Sequence, residues 1–214
     1  MDEEISIIDE KTRNERIKNF FVNNKKKIII SLIIIILIFL SFFGLKEFKE
    51  IKKKQISEHY NSVIVDYTNG NSDSVLEKLK EIVREKDPTY SPLSLYFIID
   101  NEFSKNNEEI NELFDILINK TSLENEIKNL IIYKKALFNA DVISENELLE
   151  ILKPLINSKS VWNSHALYLI AEYYFSKGEK EKSKEFFNKI LLIENANQEI
   201  IKEAQKRLNR DLSE

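Results

Sequence analysis

The sequence has no cysteine, which excludes disulfides, thiolate nucleophiles and cysteine-ligated zinc. Histidine occurs only at His59 and His165, far apart and outside any His-Glu-x-x-His pattern, so no metal centre is expected. The three glycines, Gly44, Gly70 and Gly178, are scattered and cannot form a glycine-rich phosphate loop. No serine stands in a nucleophile elbow. Carboxylates are plentiful, but runs such as Glu108-Glu109-Glu112 have the spacing of a solvated helix face. No cofactor, small-molecule substrate or catalytic residue is expected, and the chain does not read as an enzyme.

What it has is one long apolar run. Ile28 to Leu45 gives 18 residues without a charge. As a helix they extend about 27 Å, close to the roughly 30 Å of a hydrocarbon core once flanking lysines snorkel and Phe48 sits at the interface. A secretory signal would have a shorter apolar core and small residues before a cleavage point. Here Phe42 and Phe43 flank Gly44, and Lys46 and Glu47 follow at once. The run reads as an uncleaved anchor. A soluble core helix apolar on all sides would need a large protein around it.

Charge divides along the chain. Residues 1–54 carry 12 Lys and Arg against 8 Asp and Glu, a net of +4. Residues 55–214 carry 20 against 28, a net of −8, which disfavours a nucleic-acid surface. Orientation is nearly balanced. Within 15 residues of the run, Arg13, Arg16, Lys18, Lys25, Lys26 and Lys27 precede it, and Lys46, Lys49, Lys52, Lys53 and Lys54 follow it. Charge alone favours a cytoplasmic N-terminus by one residue.

Beyond the anchor the sequence reads as all-α. Ile110, Leu113, Phe114, Leu117 and Ile118 recur at helical spacing, as do Leu76, Leu79, Ile82 and Val83, and, less strictly, Phe186, Phe187, Ile190, Leu191 and Ile193. Turn clusters begin at Asn71, Asn106, Ser144 and Gly178, at steps of 35, 38 and 34 residues, each offering an N-cap before a new apolar stripe. Pro88 and Pro92 bracket a break between helices, and Pro154 sits late in one. A period near 34 built from two helices is the tetratricopeptide (TPR) signature. Four hairpins are expected: 55–69 with 73–86, 91–104 with 107–119, 122–139 with 144–157, and 162–176 with 179–194. Helix 197–210 would cap the end of a TPR-like solenoid.

The fourth hairpin matches the repeat slot by slot. Leu167, Ile170, Ala171 and Tyr174 stand on its first helix, Gly178 in its turn, and Ser183 and Phe187 on its second. Small residues at Ala171 and Ser183 let two backbones approach while the larger ones fill the gaps. Ile190 and Asn195 depart from the usual Ala and Pro. The first three hairpins match only by hydrophobic spacing and turn placement.

The stretch IIDEKTRNERIKNFFVNNKKK, with Asp9, Glu10 and Arg13, resembles the acidic-then-basic tail of the YfgM-like family of TPR-containing ancillary subunits of the SecYEG translocon, its alphaproteobacterial branch above all. The anchor follows, then a tyrosine-bearing helix at His59-Tyr60. LKPLINSKSVWNSHALYLIAEYYFSKGEKEKSKEFF, with Pro154, Leu155, Trp162, Ala166 and Gly178, resembles the family's later repeat. Val161 stands in place of the usual proline and Ser183 in place of an alanine. The resemblance implies a cytoplasmic tail at 1–27, one inner-membrane span at 28–45 and a periplasmic TPR-like domain at 46–214. It also implies contact with the Sec translocon, a periplasmic chaperone and exported clients.

The expected function is therefore that of an anchored scaffold which binds proteins at the translocon and assists clients or their chaperones. A tethered scaffold of another envelope assembly is the alternative. His165, Tyr168, Glu172 and Phe175 share one stripe of a first helix beside its packing residues, the position that lines the inner face of a repeat array, and are the candidate protein-binding residues. Packing against the cap helix is the other reading of that stripe. Trp162 reads as packing where the third hairpin meets the fourth.

Overall fold

The computed structural model describes residues 2–70 and 74–212, with side chains for Arg13, Glu15, Arg16 and residues 18–70 and 74–212. Among these residues there are nine helices and no strand. α1 runs from Asp2 to Thr68. The chain forms two compact units, Met1–Gln55 and Ile56–Glu214.

The first unit is helical and contains the Ile28–Leu45 run. It supplies one helix long and apolar enough to cross a membrane. Ile33, Leu37, Phe39, Leu40, Phe42 and Phe43 all lie about half exposed or more. A soluble core helix would bury such side chains against the rest of its own protein. Among the described residues, none in this unit does so.

The second unit takes the end of α1 from Ile56 and adds α2 (Val75–Arg84), α3 (Tyr90–Asp100), α4 (Asn107–Lys120), α5 (Asn125–Asn139), α6 (Glu145–Ile156), α7 (Asn163–Ser176), α8 (Lys180–Leu191) and α9 (Gln198–Asp211). Local chemistry starts and stops these helices. Asn106 accepts hydrogen bonds from the Glu108 and Glu109 amides, and Ser144 forms a reciprocal capping box with Glu147. Asn197 caps α9 in the same way. Of the Asn71 cluster, residues 71–73 lie outside the described residues, and Ser74 is the N-cap of α2 but makes no side-chain cap bond. α8 departs from expectation, because its N-cap is Glu179 and makes no side-chain cap bond. Gly178, at φ +78°, turns the chain there instead. Pro154 stands in the last turn of α6, two residues before the helix ends at Ile156.

Consecutive helices pack on each other from α2 to α9, and α2 also meets α4, α5 meets α7, and α7 meets α9. The sequence stripes form the core. Leu79, Ile82, Val83, Ile110, Leu113, Phe114 and Leu117 are buried in one cluster with Ile56 and Val63. Leu148, Leu152, Ala166, Ile170 and Tyr174 belong to a second, and Leu167, Ala171, Phe187 and Ile190 to a third that reaches Ala204 and Leu212. Ala171 and Ser183 are completely buried, as close-approach slots require.

Polar groups fix the packing where apolar stripes alone would slide. Lys80 of α2, only 4% exposed, is paired with Glu77 at 2.8 Å and with Glu109 of α4 at 2.5 Å. The buried Ser91 hydroxyl donates to the Ile82 carbonyl at 2.7 Å and accepts from the Asp87 amide at 2.9 Å. Asp87 in turn accepts from the Thr89 and Tyr90 amides and so sets the first turn of α3.

Candidate protein-binding surface

Helix α7 carries all four stripe residues, each half-buried, but they fall into two groups. Tyr168, Glu172 and Phe175 face α9. Both carboxylate oxygens of Glu172 accept from Arg207, from Nε and from Nη2, each at 2.6 Å. The Arg207 guanidinium also lies 4.2 Å from the centre of the Phe175 ring and pairs with Asp211. The Tyr168 ring meets Phe187 edge-on at 5.3 Å. Burial, and then the Glu172 charge, push the Tyr168 phenol up to about 12. The half-burial of Glu172 and Phe175 is thus the footprint of the C-terminal helix, and Tyr168 also rests on Phe187 of α8.

His165 stands apart. It lies 5.0 Å from the Trp162 ring and 5.8 Å from the Tyr133 ring, and Trp162 stacks on Tyr133 at 5.7 Å. Burial lowers the His165 pKa. Trp162 therefore packs between α5 and the start of α7, as its position in the sequence suggests.

A second surface escaped the sequence reading. The N-terminal halves of α3 and α5 enclose a cleft of about 460 Å³, walled by Pro88, Pro92, Leu93 and Tyr96 on one side and by Leu123, Ile127 and Leu130 on the other. Leu93 remains 42% exposed and Ile127 40% exposed. Thr89 and Glu124 are the polar residues along it. Tyr96 forms part of the wall, its phenol pushed up to about 12 by burial, with the Lys134 ammonium 4.4 Å over its ring. A signal for the cleft does exist in the sequence. Tyr90–Asp100 is apolar on nearly every side, and Asn125–Asn139 has more apolar residues than one buried face uses.

Such a surface can bury the apolar side chains of a protein segment and orient it with a few polar groups. Among the described residues there is no group of three or more acidic or histidine side chains able to hold a metal ion. The chain matches no protein-family model, no curated protein and no solved structure.

Proposed function

We propose that this chain is a membrane-anchored, TPR-like scaffold that binds proteins rather than transforming a substrate. The observation that carries this reading is the exposed apolar cleft between α3 and α5, in a helical unit joined to a span-length apolar helix. The hairpins would be the end of α1 with α2, α3 with α4, α5 with α6, and α7 with α8, with α9 as the cap. The packing of α5 on α7 and of α7 on α9 supports a stack of first helices.

Residues 28–45 would span the inner membrane, the tail would be cytoplasmic, and the helical domain periplasmic. The resemblance in the tail and in the fourth hairpin supports a place beside the Sec translocon, assisting exported clients or their chaperones. The cleft is the primary docking surface. The α7 stripe of Tyr168, Glu172 and Phe175 becomes available to a partner only if α9 leaves it, whereas His165 requires no such movement.

The test is co-purification after mild detergent extraction, with the full chain compared with a Leu93→Glu, Ile127→Glu variant. SecY retained by the parent chain and lost by a folded variant supports the reading. Another envelope machine retained without SecY moves the scaffold to that assembly. Retention unchanged by the variant removes the cleft from binding. A reporter active only in the periplasm, fused after the last residue, tests the topology. Its silence, with activity from a cytoplasmic reporter at the same place, reverses the orientation.

A further inference from the structure

We propose that the start of the apolar helix holds a site for an anionic phospholipid, built on Lys25, Lys26 and Lys27. The inference rests on the membrane-anchor reading and adds to it the class of lipid that the anchor selects. From residue 16 to residue 54 the chain carries 10 Lys and Arg against 2 Asp and Glu, a net of +8. No acidic residue occurs between Glu15 and Glu47. Lys25 to Lys27 therefore have no carboxylate one turn away on either side to neutralise them. All three are exposed, and consecutive helical positions turn them about 100° apart, so that they ring the helix where the apolar run begins.

One face of this ring continues into a shallow groove of about 440 Å³ along Phe20, Lys27, Ser31, Leu32 and Ile35. The residues recur at three and four positions, so the groove follows the helix axis from charged to apolar surface. Its chemistry changes in the order of a phospholipid. Phe20 and Phe21, exposed at 61% and 55%, supply aromatic edges above the lysines. Lys27 supplies the cation for a phosphodiester. The Asn24 amide is turned back to the Phe20 carbonyl at 3.0 Å and leaves the lysine as the charged group of the groove. Below it Ser31 leaves room beside Leu32 and Ile35 for the first part of an acyl chain. A zwitterionic lipid brings a cationic group that offsets its phosphate against the lysine ring, whereas phosphatidylglycerol has none and keeps its net negative charge, so the site discriminates by headgroup charge.

The experiment uses the full chain reconstituted into vesicles of phosphatidylcholine with a minority of phosphatidylglycerol. The chain is extracted in mild detergent and the lipid that stays with it is quantified, while resistance to carbonate extraction reports insertion. The expected result is retained phosphatidylglycerol enriched about fivefold or more over the vesicle composition, falling with added salt. Lys25→Gln, Lys26→Gln, Lys27→Gln together should return the ratio to that of the vesicle and leave carbonate resistance intact, while the matching Lys→Arg triple keeps the enrichment. A carbonate-resistant chain whose lipid matches the vesicle overturns the site and leaves the anchor standing. Enrichment that survives Lys→Gln at these three positions also overturns it, and assigns the effect to Lys46–Lys54. A chain that carbonate removes overturns the anchor, and the lipid site with it.

Discussion

Asn111 of α4 and Asn139 of α5 exchange two hydrogen bonds, each Nδ2 donating to the other's Oδ1, at 2.9 and 2.8 Å. Asn139 also donates to the Lys135 carbonyl and is only 4% exposed, so its amide is satisfied within the protein. A reciprocal amide pair is met in only one alignment of two helices, whereas apolar stripes tolerate slippage. Replacing one partner strands the other. Asn139→Leu should therefore cost about 1–3 kcal/mol, while Asn111→Leu with Asn139→Leu should recover most of that loss. Urea unfolding of the detergent-solubilised chain measures both. A double variant as unstable as the single one would show that the pair's hydrogen bonds are not what stabilises this contact.

High pH should unfold the helical unit in a defined window. Burial is the leading cause that pushes the phenols of Tyr96, Tyr168 and Tyr174 up to about 12, with hydrogen bonding to Glu145 adding to it at Tyr174. In the unfolded chain they ionise near 10. Their folded values are raised, so their contribution is complete below pH 10 and disappears as pH rises towards 12. Phenolate absorbance should show ordinary tyrosines titrating first and a later group titrating together with the loss of helical circular dichroism. A single transition near 10 with helicity intact would contradict the burial of these three side chains.

The close-approach slots offer a packing test. Ala171 is fully buried between Phe187, Ile190 and α9. Ala171→Leu should overpack the site and lower stability by about 1–3 kcal/mol. Ala171→Ser, close in volume, should cost less. Equal melting temperatures for the leucine variant and the parent would mean that α7 and α8 approach less closely than they do here.

The sequence foretold the helices well where local rules act. Expected helix 107–119 is Asn107–Lys120, and expected helix 144–157 is Glu145–Ile156, because Asn106 and Ser144 cap them by bonds to amides two or three residues away. The fourth hairpin was legible for a similar reason. Small residues at Ala171 and Ser183 and a positive-φ glycine at 178 each have a direct backbone consequence. The α7 stripe was not legible to the same depth. Its spacing puts Tyr168, Glu172 and Phe175 on one face, but what covers that face is Arg207, 35 residues beyond Glu172. Side-chain contacts at that separation leave no periodic trace. The α3–α5 cleft was missed because excess apolar residues on a helix look the same whether they meet a neighbour or a gap.

Arg207 gives the most discriminating variant. Its side chain is 15% exposed, held by Glu172 and Asp211 and laid over Phe175. Arg207→Met keeps an aliphatic stem over the ring but removes the fork and leaves the partly exposed Glu172 without its cation. The loss should be about 1–2 kcal/mol, less than for a fully buried pair because water reaches the carboxylate. It should also be local. Amide exchange should quicken across α9 and remain slow in α5, since the helices α9 packs on are α7 and α8. Acid should reproduce the effect. Arg210 and Arg207 depress the Asp211 carboxyl to about 2, so its contribution is present above the ordinary value of 3.8 and is lost as pH falls from there towards 2. The variant also separates the two readings of the stripe. If Tyr168, Glu172 and Phe175 serve a partner once α9 moves, loosening α9 should increase partner capture, and adding Tyr168→Ala should cancel the gain. If capture stays at the parent level while α9 exchanges faster, the stripe is the seat of the C-terminal helix and binding belongs to the α3–α5 cleft.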